Sequence, residues 1–499
     1  MGASGSTPPT AKPDVAVAAH VDGASVSAPG EIGPEPRSGG FDVEAMNGEF
    51  SLVLMGSKSV VVRVQTIGPI EDRVRILGID AFRMWFQNSY TETRGPDGKT
   101  KGMTWAARWL AHGQRRQFAG IEFFPNPDGA ETTPSYLNLW RGFSVVPSAT
   151  EGSYSIFRDH VLNNVCQGDD ALFRWVWAWF AHLLQRPRER IGTALVLRGK
   201  RGSGKTKVGE VIGSLVAAHY FLVDDPRYVT GQFNAHMAAC LLLQAEEAVW
   251  AGDKVAEGRL KGLITSRFQM IEAKGIDPIR VANHVRLMMT SNEDWVVPAG
   301  KDERRFCVLD VDSRCAQNSG YFAEMEEQLA SGGRERLLHD LLSLDVNSVD
   351  LRRIPRTGAL LEQKLLSLDS VESWWLERLM SGTTLSGGDT WLYEVPSYSL
   401  FDDYIATADK VGVRRKREMI AFGMKLFKLV PNLAKSRPYI ERERAVPKRV
   451  WCYRMPPLSQ CREAFVAEVG QEISWPYDPA TEDADTDVRE SEFDGESAL

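Results

Sequence analysis

Cysteine is scarce and scattered. The 499 residues hold six (Cys166, Cys240, Cys307, Cys315, Cys452 and Cys461), with no C-x-x-C pair. This argues against a zinc site and a disulfide framework, and for reduced thiols in a cytosol. Long apolar runs are also missing. The N-terminus has no apolar core of the signal-peptide kind. The most apolar helix candidate, residues 171–184, contains Arg174 and His182 and is too short to span a bilayer, so no membrane insertion is expected. No internal repeat is visible. A strong overall charge is lacking too, because the formal −7 is an average. Residues 478–499 carry nine carboxylates and one arginine, a net of −8, which leaves the rest of the chain at +1. Where the cations lie then matters more than their sum.

At 43% apolar and 25% charged residues the composition is that of an ordinary globular protein, long enough for two to four domains. Residues 1–40, rich in Gly, Ala, Ser and Pro, are expected to be disordered. Residues 41–150 read as a small α+β region that opens with a hairpin around Gly56-Ser57-Lys58. Residues 151–187 read as a helical collar ending at Pro187. Residues 188–345 alternate apolar strands with helices, the pattern of a parallel α/β core. Residues 346–390 read as a helical connector whose loop at 381–390 marks a domain boundary. Residues 391–475 form a last, basic region, and 476–499 an acidic disordered tail.

Gly199-Lys200-Arg201-Gly202-Ser203-Gly204-Lys205-Thr206 fits the G-x-x-x-x-G-K-[ST] phosphate-binding loop, preceded by an apolar strand and followed by a helix. Gly199, Gly202 and Gly204 let backbone N–H groups converge on phosphate oxygens, with Ser203 between them, and the helix N-terminus adds partial positive charge. Lys205 would reach the β- and γ-phosphates, and Thr206 would hold Mg²⁺. Leu241-Leu242-Leu243 then leads to Glu246 and Glu247, assigned to the metal and to the general base. A third apolar run, residues 285–291, ends at Asn292, which could stand between the γ-phosphate and an attacking water. Arg304 and Arg305 follow in an acidic–basic cluster, and one of them could stabilise transition-state charge from a neighbouring copy, Arg304 ranking first. Between the second and third strands, residues 269–281 read as strand, tight turn, strand. Lys274-Gly275 stands near the tip, with His284, Lys261, Arg267 and Arg280 as possible helpers in gripping a phosphate backbone.

This ordered set resembles superfamily 3 helicases of the AAA+ class, most of all the helicase part of phage and plasmid primase–helicase proteins, over residues 136–345. The resemblance implies a P-loop AAA+-like ATPase core using ATP and Mg²⁺. It implies a homo-hexameric ring on single-stranded or forked DNA, with Lys274 in a DNA-gripping hairpin, Asn292 as sensor, and Arg304 or Arg305 as the finger. Glu246 departs from the Asp common at its position. The N-terminal 150 residues are short for a primase domain, so no primer synthesis by this chain is expected, and a separate primase or polymerase is the implied partner. If the chain is phage-encoded, its place is the host cytoplasm.

From Lys410 to Arg449 there are thirteen Lys or Arg and three Glu, interleaved with apolar residues, which suggests a winged-helix-like domain on nucleic acid. The expected function is therefore an ATP-dependent DNA helicase of phage or plasmid replication. Two rivals stand beside it: a P-loop ATPase for packaging or remodelling, and an initiator that uses ATP only to assemble.

Overall fold

The computed structural model describes residues 40–65, 74–94, 100–150, 152–231, 234–247, 254–272, 278–442 and 445–476. The expectations for the N-terminal segment, for Lys274 and Gly275 and for the acidic tail lie outside them. The chain divides into two units. One joins the described residues up to Met46 to Asp80–Arg115; the other joins Asn47–Ile79 to Arg116 and all that follows. Helices α1 (Val43–Glu49) and α2 (Ile79–Trp85) cross the sequence boundaries between them.

In the first unit β4 (Tyr90–Arg94) and β5 (Thr100–Thr104) pair antiparallel. Helix α3 (Trp105–Ala111) follows, capped where the Thr104 side chain accepts from the Ala107 N–H. Phe82, Phe86, Trp105 and Trp109 form its buried centre.

In the second unit β1 (Phe50–Met55) and β2 (Lys58–Val64) make a hairpin whose turn uses Gly56 at φ +58°. Strands β3 (Val74–Gly78) and β6 (Gln117–Phe118) complete that sheet, in the order β3-β2-β1-β6. A short parallel pair, β7 (Gly120–Glu122) with β8 (Tyr136–Asn138), comes next. Residues 41–150 are thus not one region: Val53, Met55, Val60 and Val62 of the hairpin bury themselves in the main core, because alternate strand residues share one face and these are apolar.

The helical stretch comprises α4 (Ser155–Asp159), a π-turn at His160–Val165 and α5 (Asp170–Gln185), which Asp169 caps. Helix α5 is apolar almost all round and buried to match. The main sheet follows: β9 (Ala194–Arg198), β10 (Tyr220–Val223), β11 (Leu242–Glu246), β14 (Arg286–Ser291) and β15 (Phe306–Asp310), in the order β10-β11-β14-β9-β15. Every pairing is parallel. Its inner strands are buried along their length, as sheets covered on both faces require. Helix α6 (Lys205–Ser214) follows β9; α7 (Pro226–Thr230) and α8 (Lys254–Thr265) lie between strands. The hairpin β12 (Phe268–Ile271) with β13 (Ile279–Ala282) is inserted before β14. Helices α9 (Ser319–Gln328), α10 (Arg334–Ser343) and α11 (Gly358–Leu366) come after the sheet.

A second core begins earlier than expected. Helix α12 (Ser370–Ser381), fixed by an Asp369/Glu372 capping box, puts Trp374 and Trp375 into it. The remaining elements are β16 (Glu394–Pro396), α13 (Ser397–Lys410), α14 (Met419–Leu429), β17 (Ala434–Ser436), β18 (Tyr439–Arg442), β19 (Ala445–Arg449), β20 (Cys452–Arg454) and α15 (Leu458–Val469). The loop at 381–390 is therefore internal to this core and not a boundary. The two cores also lock together, where buried Lys364 donates to the Val469 carbonyl at 2.9 Å.

Candidate nucleotide site

Parallel α/β sheets present their ligands at the carboxyl ends of the strands. Here β11, β14 and β9 lie side by side and end at Glu246, Ser291 and Arg198. The glycine loop expected to bind phosphate therefore starts next to the two other predicted strand ends. Gly202 and Gly204 have φ of +76° and +88°, a region that L side chains enter only at a cost. A Cβ on Gly204 would also lie 2.6 Å from His160 Nε2, so the π-turn forms the floor under the loop.

Lys205 is buried at the start of α6, which has no side-chain cap. Its ammonium donates to the Gly199 carbonyl at 2.7 Å, the Lys200 carbonyl at 2.8 Å and Asn292 Oδ1 at 3.0 Å. Burial pulls its pKa down, against the opposing pull of Glu247 and Glu246. Thr206 Oγ1 donates to Glu246. Asn292 Nδ2 donates to Glu247. One amide thus ties the lysine to the second carboxylate. Glu247 sits just past β11 at φ +50°; this left-handed turn points it across to Asn292, the kind of strain found at working sites. The cavity among these groups has a volume of about 530 Å³ and is lined also by Gln317, Ser319 and Phe322.

Two glycines one helical turn apart let α6 lie close on the sheet. A Cβ on Gly209 would fall 1.7 Å from Gln244 Oε1, and one on Gly213 would fall 2.4 Å from the Tyr220 ring. Fully buried Gln244 accepts from the Tyr220 hydroxyl at 2.8 Å and donates to the Thr206 carbonyl at 3.2 Å. It pins the first turn of α6 at the height that brings Thr206 to Glu246. Sequence reasoning missed Gln244, although a glutamine inside an otherwise apolar strand was the available signal. It also missed His160, Gln317 and Phe322, whose positions come from distant parts of the chain.

The other expected residues lie elsewhere. Phe306 pairs with Ala194 and Asp310 with Arg198, so Arg304 and Arg305 stand at the opposite end of the sheet. At 3.3 Å per strand residue that is roughly 15 Å or more from the loop. Arg304 is exposed, and Arg305 pairs with buried Glu303 at 3.6 Å; neither belongs to this chain's own pocket. His284 is corrected: it is buried against the Phe123 ring, 5.9 Å between centroids, and cannot face DNA. Burial, then the charges of Arg286, Arg190 and Arg188, push its pKa down to about 4. Lys261 pairs with Glu257, and the Arg280 guanidinium lies 4.3 Å over the Phe268 ring. Helix α14 does not present a basic reading face either. Its Lys425 turns to Asp369 and Glu372, while Met419, Ile420, Met424 and Phe427 face outward. Among the described residues there is no group of three or more His, Cys, Asp or Glu side chains arranged to hold a metal, and no helix long and apolar enough to cross a membrane.

Residues 197–305 match a family described only as a family of unknown function, DUF5906. A protein named DNA Primase-polymerase, from Nitratiruptor phage NrS-1, is 23% identical over 154 residues, which is 30% of this chain and 21% of that protein. The match thus spans about a fifth of the relative. Two solved apo structures of the NrS-1 C-terminal region share the fold: one with a TM-score of 0.56 at 16% identity over 82% of this chain and 97% of that one, the other with 0.56 at 14% over 83% and 98%. The relative's name overturns the helicase expectation, with its ring, and both rivals, the packaging or remodelling ATPase and the assembling initiator. It also removes the ground for setting primer synthesis aside.

Proposed function

We propose that the chain works in phage DNA replication as the nucleoside-triphosphate-dependent part of a protein of the primase–polymerase kind. The nucleotide, ATP being the expected one, would lie with Mg²⁺ at the carboxyl ends of β9, β14 and β11. Single-stranded or forked DNA is its proposed partner and the host cytoplasm its place. One observation carries the reading. A buried ammonium, Lys205, is held by three oxygen acceptors at 2.7–3.0 Å in a glycine loop that faces two carboxylates.

Those three oxygens occupy the directions that phosphate oxygens would take, so the donor set suits a triphosphate. Thr206 and Glu246, already in contact, would hold the metal, which when bound neutralises phosphate charge. Glu247, turned toward Asn292, would take the proton of an attacking water, and Asn292 would keep the carboxylate and Lys205 in register. The glutamate at position 246 reaches Thr206 despite its extra methylene.

The test is Lys205→Ala in the full chain. Binding of a fluorescent ATP analogue and Mg²⁺-dependent phosphate release should both fall about 100-fold, the loss of roughly 3 kcal/mol expected for a buried charge-assisted contact. Native binding and turnover in this variant would sink the assignment.

A further inference from the structure

The basic region carries a feature that the nucleotide site does not explain. Strands β17 and β18 run continuously through Arg437 and Pro438, and β19 and β20 through Val450 and Trp451, joined by the Val450 N–H to Pro438 carbonyl bond at 3.1 Å. The register of β17 on β20 carries on into that of β18 on β19, so the pairs make one long antiparallel ribbon, with β16 along the other edge of β20. Alternate residues of such a ribbon share a face. On one face Lys435, Arg437 and Tyr439 stand opposite Tyr453, Trp451 and Arg449.

Each cross-strand pair joins a cation to a ring. Lys435 Nζ lies 5.5 Å from the Tyr453 centroid, the Arg437 guanidinium 5.2 Å from Trp451, and the Arg449 guanidinium 4.9 Å from Tyr439. Two of the three rings are open, Tyr439 being 65% and Trp451 52% exposed. Phe427 of α14, 43% exposed, extends the row, with Lys435 5.4 Å above its ring. Among the described side chains, the neighbouring acid Glu394 is engaged by Ser436 and Arg454.

We infer that this ribbon face binds single-stranded DNA, one cation and one ring meeting each nucleotide. Charge favours an anionic partner, since among the described side chains the three cations on the face lie against rings. The rings select unpaired bases, which stack on aromatic and guanidinium planes while a duplex hides its own. Spacing agrees. Successive same-face residues rise about 6.8 Å, roughly twice the 3.4 Å per nucleotide of a stacked strand. A strand following the ribbon must therefore stretch and unstack its bases. The inference stands apart from the nucleotide site and does not rest on it.

The test uses the full chain and a fluorescein-labelled oligothymidylate, with a duplex of equal length alongside. Trp451→Ala and Tyr439→Ala should each weaken single-strand binding about 5- to 160-fold, the range for one lost stack, and leave duplex binding unchanged. Trp451→Phe should retain native affinity and identify the share of tryptophan quenching that DNA causes at this residue. Arg437→Gln should reduce the salt slope by about 0.7. Native single-strand affinity in both alanine variants would overturn the inference. So would equal quenching of Trp451 by a poly-glutamate peptide, which would assign the face to an acidic protein segment. Lys205→Ala should bind the oligonucleotide normally, so failure of the nucleotide reading and failure of this one give different results.

Discussion

The pocket around Lys205 and the ribbon that carries Trp451 handle charge in opposite ways. In the pocket the ammonium is buried and donates to Asn292, which in turn donates to Glu247. Removing any one group leaves another unpaired in a poor dielectric, so losses are large and interdependent. On the ribbon each cation rests on a ring at the surface, a contact worth about 0.5–1 kcal/mol, and water takes over when it is lost. Function built on such a face depends on repetition rather than on any single residue. The main core and the C-terminal core differ in the same sense, and experiments can exploit the difference.

Acid should separate them most. His160, His219 and His284 are buried in the main core, and burial above all pushes each pKa down to about 4 from 6.5. A depressed histidine is neutral when folded and must take up a proton when unfolded. Its stabilising contribution is complete above about pH 6.5, falls as pH drops, and is gone near pH 4. Each such group amounts to something on the order of 3 kcal/mol. No histidine follows His339, so the core from Val371 to Ile473 lacks this sensitivity. Melting followed between pH 7 and 4 should show the signal from the main core moving down steeply and that of the C-terminal core staying nearly level. Parallel loss in both would break the contrast.

Chemistry separates them next. Glu247→Gln keeps the shape and the Asn292 contact but removes the carboxylate proposed as the base. Phosphate release should drop about 10²- to 10⁴-fold with nucleotide affinity within a few-fold of native, and oligonucleotide binding by the ribbon should not move. A proportionate loss of affinity would mean that the residue holds nucleotide and is not the base.

The loop motif, the strand ends and the Glu246-Glu247 pair were legible because each is local: a run of eight residues, or a strand and its last two side chains. Asn292 was legible by order along the chain. What escaped was set by packing. His284 looked like a helper cation beside a hairpin, and nothing local said that Phe123, 161 positions earlier, would cover it. The loop at 381–390 is rich in glycine and serine and punctuates the chain as a boundary would, yet Trp374 and Trp375 before it share a core with Phe422 and Phe465 after it. The density of cations between Lys410 and Arg449 was plain. Their pairing with rings depends on the register of two strands, which composition does not carry.

The smallest effect tests the idea of interdependence itself. Glycine inside a helix normally costs about 1 kcal/mol relative to alanine, so Gly209→Ala ought to stabilise α6. Here the added methyl meets Gln244 Oε1 at 1.7 Å, and relieving that overlap must lift α6 from the sheet or turn Gln244 away from Tyr220 and the Thr206 carbonyl. Overpacking of this kind costs about 1–3 kcal/mol, so the sign reverses and melting temperature falls. Because Gln244 sets the height of Thr206, nucleotide affinity should fall with it. Combined with Tyr220→Phe, which removes the other bond to Gln244, the two losses should not add; a coupling of about 0.5–3 kcal/mol is expected for groups that share a partner. On the ribbon, Lys435→Gln with Tyr439→Ala should add to within about 0.5 kcal/mol, since neither touches the ring or cation of the other. Additive losses around Gln244 would mean that the pocket is assembled from independent contacts after all.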